Sequence, residues 1–359
     1  MVLDNWGLTN LFYHKIMFYE CQKCKRRWSH PLSECPYCLI VLDKMPESGA
    51  KVRGAAKVSI PTLFHPNTPY NVLVLEDGGG NCWSHKSEKE YQIGEEFAIE
   101  GNNNPDAVAV WRVKYDQKEA IAKALDLIGG IDAGANAKIA VLPTLEKASH
   151  SYFRDNTSPE FLAAVLGLLL EKGAKAENIA VAGQSFGDVP VGAMAQKSGL
   201  VAVCQKFGIV PTDLAAGEFI QSGQFEISKT ILEADIFINL SMEKMGRAAA
   251  CENMFRVLKK ESYEAQAYLS SKTAIAAGLV PLLKNMIVIG EAEFVPRSNR
   301  LAAFLGLALA SRSAANLDRV FGEIAQSFKM PEIIKDIPME TIPLAGRTIK
   351  EVQYQAEIF

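Results

Sequence analysis

Hydrophobic and polar residues follow two different patterns along the chain. Between residues 50 and 100, apolar residues recur at every second position in short runs, and Gly, Pro and Asn separate these runs. This period predicts β-strands at Lys51–Ile60, Tyr70–Glu76 and Glu95–Glu100. Short strands joined through a glycine-rich corner at residues 78–80 favour a small β-barrel of the OB type.

From Asp106 onward, apolar runs alternate with segments of helical period. The predicted strands share a continuously apolar character and are Ala107–Lys114, Lys138–Leu142, Asn178–Ala182, Ala234–Leu240 and Met286–Ile289. The predicted helices lie between or after them, at residues 117–128, after Ser158 and Pro159, and at residues 247–260 and 312–328. This alternation indicates an α/β domain with a mainly parallel sheet that helices cover on both faces.

The N-terminus and the longest apolar runs bear on the membrane question. Residues 4–20 have the spacing of a short amphipathic helix, and they lack the basic start and apolar core of a secretory signal. The runs Phe161–Leu170 and Leu301–Ala310 are about half as long as a bilayer span, so they indicate buried helix or strand. No membrane association is therefore expected.

Composition adds limits on domain number and partners. A chain of 359 residues suggests two or three domains, and its 48% apolar and 22% charged residues are ordinary for a folded protein. The net charge of -3 gives no electrostatic reason to expect nucleic acid as a partner. Cys82, Cys204 and Cys251 are scattered, which is typical of a protein in the reducing cytoplasm.

Four cysteines near the N-terminus form the most specific motif. Cys21, Cys24, Cys35 and Cys38 have the spacing C-x2-C-x10-C-x2-C, in which each pair presents two sulfur atoms to one ion. This spacing predicts a structural Zn²⁺ site. Iron of the rubredoxin kind suits the same four thiolates, and a disulfide framework is a third interpretation. A closed four-thiolate site leaves no open position for catalysis.

The segment around these cysteines resembles a known family, domain of unknown function 35, in which a leading helix, a rubredoxin-like zinc ribbon and an OB-fold barrel follow one another. The matching residues are Phe18-Tyr19-Glu20-Cys21, Cys35-Pro36, Pro69-Tyr70 with the strand after it, and Ile93-Gly94-Glu95. The usual glycine after each cysteine pair is replaced by Lys25 and Leu39. The resemblance implies a non-catalytic protein that pairs with a thiolase-like, hydroxymethylglutaryl-CoA-synthase-like or other acyl-CoA enzyme and helps to hold or pass acyl-CoA.

Residues 106–330 resemble a second family, domain of unknown function 362. The matching stretches are Ala107–Val110 with Ala120–Gly130, Thr157–Glu160, Asp235–Leu240 with Lys244 and Asn253, and Gly306–Asp318. Several polar residues of the family pattern are replaced in this chain. Thr144 occupies the position of an asparagine, Gly246 that of a histidine and Glu252 that of a lysine. Many members contain ferredoxin-type clusters, but the cysteines that remain in this chain outside the four-cysteine motif are too few and too scattered to bind one.

The candidate substrate-binding residues of this second domain are Lys244, Asn239 and Asn253. A lysine at the exit of a buried strand can bind a phosphate or carboxylate as a point charge, but a solvated lysine is an equal interpretation. The turn Gly183–Asp188 offers backbone amides to an anion or is an ordinary βα turn. Ser185 in this turn matches the Gly-x-Ser-x-Gly motif of a nucleophile elbow. A hydrolase of that type needs a histidine later in the chain, and no histidine follows Ser185.

These patterns divide the chain into four parts. Residues 1–50 are the helix and rubredoxin-like zinc ribbon, residues 51–104 the OB-fold barrel, residues 105–335 the α/β domain, and residues 336–359 a C-terminal tail.

Two functions follow from this organisation. The first is an accessory subunit that docks onto a thiolase-superfamily enzyme, with acyl-CoA as a possible ligand. The alternative is an enzyme whose α/β domain acts on a small anionic substrate.

Overall fold

Two compact units make up the chain in the computed structural model, residues 1–101 and residues 102–359. The described residues are 19–28, 32, 34–44, 50–60, 68–77, 80, 82–87, 90–97, 104–113, 116–296, 302–327 and 330–354. The predicted division into four parts remains a prediction, since the structure separates only these two units.

The four cysteines lie in turns next to a small three-stranded sheet. Its strands are β1 (Tyr19–Glu20), β2 (Arg27–Trp28) and β3 (Asp43–Lys44), and β1 pairs antiparallel with both others. Tyr19 and Glu20 therefore belong to a strand, so the predicted helix over residues 4–20 is wrong at its end. Its remaining part, residues 4–18, lies outside the described residues.

A second, four-stranded antiparallel sheet follows in the first unit. Its strands are β4 (Ala50–Val58), β5 (Tyr70–Asp77), β6 (Cys82–Ser87) and β7 (Glu96–Phe97), in the order β6-β5-β4-β7. Their buried side chains form one apolar cluster around Val52, Leu73, Leu75, Trp83 and Phe97. In the part of the chain that the structure describes, this sheet is open and not closed into a barrel. The OB fold thus remains a prediction.

One eight-stranded sheet forms the centre of the second unit. Its strands in chain order are β8 (Val108–Arg112), β9 (Ile139–Pro143), β10 (Ile179–Gly183) and β11 (Thr212–Asp213), then β14 (Ile236–Met242), β15 (Met286–Pro296), β16 (Ala302–Ser311) and β17 (Leu344–Gly346). A separate hairpin consists of β12 (Phe219–Ser222) and β13 (Phe225–Ser228).

The strand order in this sheet is β11-β10-β9-β14-β15-β16-β8-β17. Only β16 runs against the other strands, because it pairs antiparallel with both β15 and β8. The sheet is therefore mixed. Seven of its eight strands run in one direction, in agreement with the predicted mainly parallel sheet, and the direct return of β15 into the antiparallel strand β16 was not predicted. The predicted tail contributes β17, which pairs in parallel with β8.

Helices pack on the sheet and on one another. They are α1 (Gln117–Leu127), α2 (Pro159–Glu171), α3 (Val191–Ser198), α4 (Leu200–Lys206), α5 (Lys229–Leu232) and α6 (Ala249–Met254), then α7 (Lys260–Leu269), α8 (Lys272–Leu279), α9 (Ala314–Ile324), α10 (Glu332–Lys335) and α11 (Ile349–Val352). One group joins α1, α2 and α4, and another joins α6, α9, α10 and α11. None of the helices in the described ranges combines the length and apolar character needed to cross a bilayer.

Two helix boundaries compare directly with the sequence predictions. Ser158 accepts a hydrogen bond from the Phe161 backbone N–H at the start of α2, which confirms the predicted N-cap. The helix predicted over residues 247–260 is shorter, since α6 ends at Met254 and a 3₁₀ turn follows. Leu258 is extended because its backbone forms an antiparallel bridge with Ile227.

The order of the strands reverses between β9 and β14. From β9 the chain passes through α2 to β10 and then to β11 on one side, whereas β14 and β15 lie on the other side of β9. In open α/β sheets, ligands bind outside the carboxyl ends of the strands at such a reversal. The residues after β9, β10 and β14 are therefore the candidates for a site in the second unit.

Candidate functional site

Both cysteine pairs fold into the same tight turn. The Lys25 N–H donates to the Cys21 carbonyl and the Leu39 N–H donates to the Cys35 carbonyl, each at 2.8 Å. These turns direct both sulfur atoms of each pair toward one point. The repeated local geometry explains why the spacing C-x2-C occurs twice.

The four sulfur atoms fit a single tetrahedral metal ion. The Sγ atoms of Cys21, Cys24, Cys35 and Cys38 all lie within 4.8 Å of one another, and those of Cys24 and Cys35 are 3.7 Å apart. Four sulfurs at about 2.3 Å from one zinc ion would be separated by about 3.8 Å. All four cysteines are free of disulfide bonds. The group can therefore hold one metal ion, and zinc and iron both fit it.

The residue after each cysteine pair has an unusual backbone conformation. Lys25 has φ 60° and Leu39 has φ 53°, in the left-handed region that glycine adopts most readily. A non-glycine residue there costs roughly 1–2 kcal/mol. The sequence lacks the usual glycine at both positions, and the structure shows that the turn geometry is nevertheless kept.

Apolar side chains project from the second cysteine turn into solvent. The exposed fractions are 69% for Tyr37, 76% for Leu39 and 71% for Val41. The Arg26 guanidinium lies 3.9 Å from the centre of the Tyr37 ring, so a cation borders these side chains. We call Tyr37, Leu39 and Val41 the knuckle patch. Three large apolar side chains exposed within five residues are typical of an interaction surface.

In the second unit, two of the predicted substrate-binding residues contact each other. Asn253 Nδ2 donates to Asn239 Oδ1 at 2.8 Å and to the Leu142 carbonyl at 3.0 Å, while Asn239 Nδ2 donates to the Ala250 carbonyl at 2.8 Å. Both amides are buried and connect β9, β14 and α6. Their role in substrate binding stays a prediction, whereas these bonds give them a structural role.

Lys244, the third predicted residue, already has a counter-ion. Its Nζ lies 2.7 Å from a carboxylate oxygen of Glu146 and donates to the Asp155 carbonyl at 2.9 Å. Burial lowers the pKa of Lys244, and Glu146 opposes this effect. Burial alone would raise the pKa of Glu146, but the charges of Lys244 and Arg247 hold it below its usual value. Glu146 is therefore ionised at neutral pH, and its carboxylate favours the charged form of Lys244.

The Lys244–Glu146 pair continues into a chain of charged groups at the strand ends. Arg247 donates to Glu146 at 3.0 Å and also pairs with Glu252, which accepts from Lys272 at 2.7 Å. Burial alone would raise the pKa of Glu252, but Lys272 and Arg247 lower it. Sequence reasoning missed Glu146 and Arg247, because their proximity depends on the pairing of β9 with β14.

Replacing Lys244 should destabilise the second unit more than replacing Arg247. Lys244→Ala removes a buried ammonium that is only 7% exposed, and we expect a loss of about 1–3 kcal/mol in the free energy of unfolding. Arg247→Ala removes a half-exposed partner of the same carboxylate and should cost less than about 1 kcal/mol. Urea unfolding followed by helical ellipticity measures both values. Equal losses for the two variants would contradict the assignment of Lys244 as a buried structural ion.

Three buried carboxyl groups were not found from the sequence. Asp318 accepts from the Ala250 and Cys251 N–H groups at 2.9 and 2.8 Å, and Glu291 accepts from the Ser158 N–H at 2.9 Å. Glu243 contacts the Ser241 hydroxyl at 2.5 Å.

Burial determines the protonation of these three groups. It raises the pKa of Glu291 and of Asp318 to about 7 and that of Glu243 well above its usual value. An acidic residue within an apolar run, as at Glu291, is the sequence signal that could have identified them.

The other nucleophile candidates occupy inert environments. Ser185 Oγ bonds only to the N–H and carbonyl of Gly187 among the described residues, in an exposed turn. Burial raises the pKa of Cys204 to about 11 and that of Cys251 well above the usual thiol value. Both thiols are thus protonated at neutral pH, and thiolate chemistry at these positions is disfavoured.

Comparison with known proteins gives one family match. Residues 139–323 match the family described as Domain of unknown function (DUF362). No curated protein matches the chain. Among solved structures, one titled "Ltp2-ChsH2(DUF35) aldolase" is 20% identical, with a TM-score of 0.19 over 22% of this chain and 68% of that chain.

Proposed function

This chain belongs to the family described as Domain of unknown function (DUF362), and from that premise we propose that its first unit adds a docking module to the family domain. The module contains a structural Zn²⁺ ion and binds a thiolase-like or hydroxymethylglutaryl-CoA-synthase-like enzyme. The protein is then an accessory subunit that helps its partner to hold or pass acyl-CoA.

The coordination of the metal supports a structural role. Four cysteine sulfurs complete a tetrahedral site, so an ion bound there has no free position for water or substrate. Cys21 and Cys35 are fully buried, which also limits access to the ion. A metal centre of this kind stabilises the two cysteine turns and the surface that they present.

The knuckle patch is the observation on which the proposal mainly rests. Tyr37, Leu39 and Val41 expose most of their apolar surface, although Leu39 also occupies a backbone conformation that favours glycine. A glycine at position 39 would relieve the backbone and remove an exposed apolar side chain. The presence of leucine at this position is explained if its side chain is buried against a partner.

The choice of partner is supported by the resemblance of residues 18–38 and 69–95 to domain of unknown function 35. Proteins with that arrangement pair with acyl-CoA enzymes of the thiolase superfamily. The knuckle patch, bordered by Arg26, suits a mainly apolar surface with an acidic group at its edge. We therefore choose a thiolase-superfamily enzyme as the partner to be tested.

Leu39→Gly should weaken binding of this partner without loss of the metal. Burial of a leucine side chain contributes about 1.5–3 kcal/mol, so we expect binding to be at least tenfold weaker. Metal content should stay the same, because glycine adopts the left-handed conformation more easily than leucine does. The measurement is titration of the full chain with a thiolase-superfamily enzyme from the same organism, with metal content determined for each sample.

Lys25→Gly is the matched control for this variant. It makes the same backbone change at the equivalent position of the first cysteine turn, but it removes no apolar side chain from the knuckle patch. Partner affinity should be unchanged within about threefold for this variant. The docking proposal is contradicted if Leu39→Gly binds as the unaltered chain does, or if no thiolase-superfamily enzyme binds at all.

The alternative function, an enzyme that acts on a small anionic substrate, depends on Lys244 as the binding group. The Lys244 ammonium is buried and lies 2.7 Å from Glu146, so its charge is already compensated. Asn253 Nδ2 donates to Asn239 Oδ1 and to the Leu142 carbonyl, and Asn239 Nδ2 donates to the Ala250 carbonyl, so these amides are engaged within the protein. Docking is therefore the function that the geometry supports better.

A further inference from the structure

The charged groups at the strand ends of the second unit do not balance. The cations of this cluster are Lys244, Arg247, Arg256 and Lys272, and its carboxylates are Glu146 and Glu252. The pKa values of both carboxylates lie below their usual range, so both are ionised at neutral pH. Asp155, whose carbonyl Lys244 contacts, pairs with Lys147 at 2.9 Å, and this pair adds no net charge. The other groups give four positive and two negative charges, a surplus of two positive charges.

Arg256 is the group without a counter-ion. Among the described residues, no carboxylate oxygen lies within 4.0 Å of its guanidinium, and its NH1 group donates only to the neutral Gln184 carbonyl at 3.0 Å. An arginine has five N–H donors, so most of them are available. One face of the guanidinium lies over the Phe186 ring, 5.5 Å from its centre. Burial lowers the pKa of Arg256, and the charges of Glu146 and Glu252 oppose this effect only in part.

The location of Arg256 matches the reversal in strand order. Gln184 is the first residue after β10, Glu146 follows β9 by three residues, and Lys244 follows β14 by two. These three strands are neighbours in the order β10-β9-β14, so their carboxyl ends lie side by side at one end of the sheet. The Arg256 guanidinium donates to the Gln184 carbonyl at the end of β10, so it lies at these strand ends, and the charges of Glu146, Arg247 and Glu252 act on it.

We propose that these strand ends form a binding site for a dianionic phosphate group, with Arg256 as the principal ligand and the Arg247–Glu252–Lys272 ion pairs in the same cluster. A guanidinium binds two phosphate oxygens through parallel N–H groups, and the two charges of the phosphate equal the surplus of the cluster. The chemical class is inorganic phosphate or a phosphate monoester. This site is independent of docking by the first unit.

The proposal differs from a site centred on Lys244. The Lys244 ammonium is paired with Glu146 and bonded to a backbone carbonyl. It therefore stabilises the loops at these strand ends, and its charge is not part of the surplus positive charge. Arg256 instead offers unbonded donors and an uncompensated charge. Sequence inspection did not single out Arg256, because only the fold brings it close to Glu146 and Arg247.

Two variants with opposite expected effects test the phosphate site. Arg256→Gln should weaken the binding of phosphate about tenfold, because it removes both a charge and the paired donors. Glu252→Gln should strengthen binding several-fold, because it raises the surplus from two charges to three. The control is Lys229→Gln, which removes an exposed lysine paired with Glu218 outside the cluster. Calorimetric titration of the full chain with inorganic phosphate and with phenyl phosphate, at constant ionic strength, measures all three.

The two probes distinguish the source of the phosphate. Tighter binding of phenyl phosphate indicates a phosphate monoester as the ligand, and equal binding indicates the free ion. If Arg256→Gln does not fold, Arg256→Lys keeps the charge, loses the paired donors and should still bind several-fold more weakly. The proposal is overturned if neither probe binds, or if Glu252→Gln fails to strengthen binding. Either result leaves the docking proposal unaffected.

Discussion

Removal of the metal should unfold the three-stranded sheet and the two cysteine turns while the helices of the second unit persist. The strands β1, β2 and β3 have only two residues each, and the fully buried side chains at their centre are Cys21 and Cys35. So small a core cannot stabilise the segment without the metal. Binding of structural zinc to four ligands contributes about 10–16 kcal/mol in isolated zinc-finger peptides. We therefore expect residues 19–28 and 34–44 to lose their protected amides on chelation.

Hydrogen exchange followed by mass spectrometry measures this result segment by segment. Cys24→Ser should have the same effect as chelation, because it removes one of the four sulfur ligands. Cys82→Ser is the matched control, since Cys82 is exposed and lies outside the cluster. Helical ellipticity should hardly change in either variant, because the described helices all lie in the second unit. Loss of the helices on chelation, or continued protection of residues 19–28 and 34–44, would show that the metal does not have the role assigned to it.

The second unit should be more stable at pH 5 than at pH 8, and Glu291 should account for much of the difference. Burial raises the pKa of Glu291 from its usual 4.5 to about 7 in the folded state. A carboxyl with a raised pKa favours folding fully below its unfolded pKa. This stability is lost as the pH rises through the folded value, because the buried group must then ionise. A difference of about 2.5 pKa units corresponds to roughly 3 kcal/mol.

Glu291→Gln removes this titration and preserves an oxygen that can accept from the Ser158 N–H. We expect the variant to be more stable than the unaltered chain at pH 8 and to lose less stability between pH 5 and pH 8. The control is Glu293→Gln, a carboxylate on the same strand that is half-exposed. Urea unfolding followed by helical ellipticity provides the comparison. An unchanged pH dependence in Glu291→Gln, or greater stability of the unaltered chain at pH 8, contradicts the assignment.

Local signals in the sequence predicted the local features of the fold. The spacing of the four cysteines predicted the metal site, because two-residue gaps fix the geometry of each turn. Ser158 and Pro159 predicted the start of α2, because both act within the first helical turn. The apolar run at residues 301–310 remained ambiguous, since its length suits either a helix or a strand. It is the antiparallel strand β16.

Features that depend on distant parts of the chain could not be predicted in this way. The mixed sheet depends on the direction in which β16 returns, and a pattern of apolar residues contains no direction. Glu146 neutralises Lys244 from 98 positions away in the sequence, so the lysine alone looked like a free binding group. Glu291 and Asp318 interrupt apolar segments as single acids, and only the fold shows which N–H groups they accept from.

X-ray absorption spectroscopy of the metal in the purified full chain tests the central claim most directly. The claim is that Cys21, Cys24, Cys35 and Cys38 close a structural metal site and so form the base of a docking surface. We expect four sulfur neighbours at about 2.3 Å and no oxygen or nitrogen in the first coordination sphere, with one zinc ion per chain. A site with three sulfurs and an exchangeable water, or a chain without metal, would contradict it.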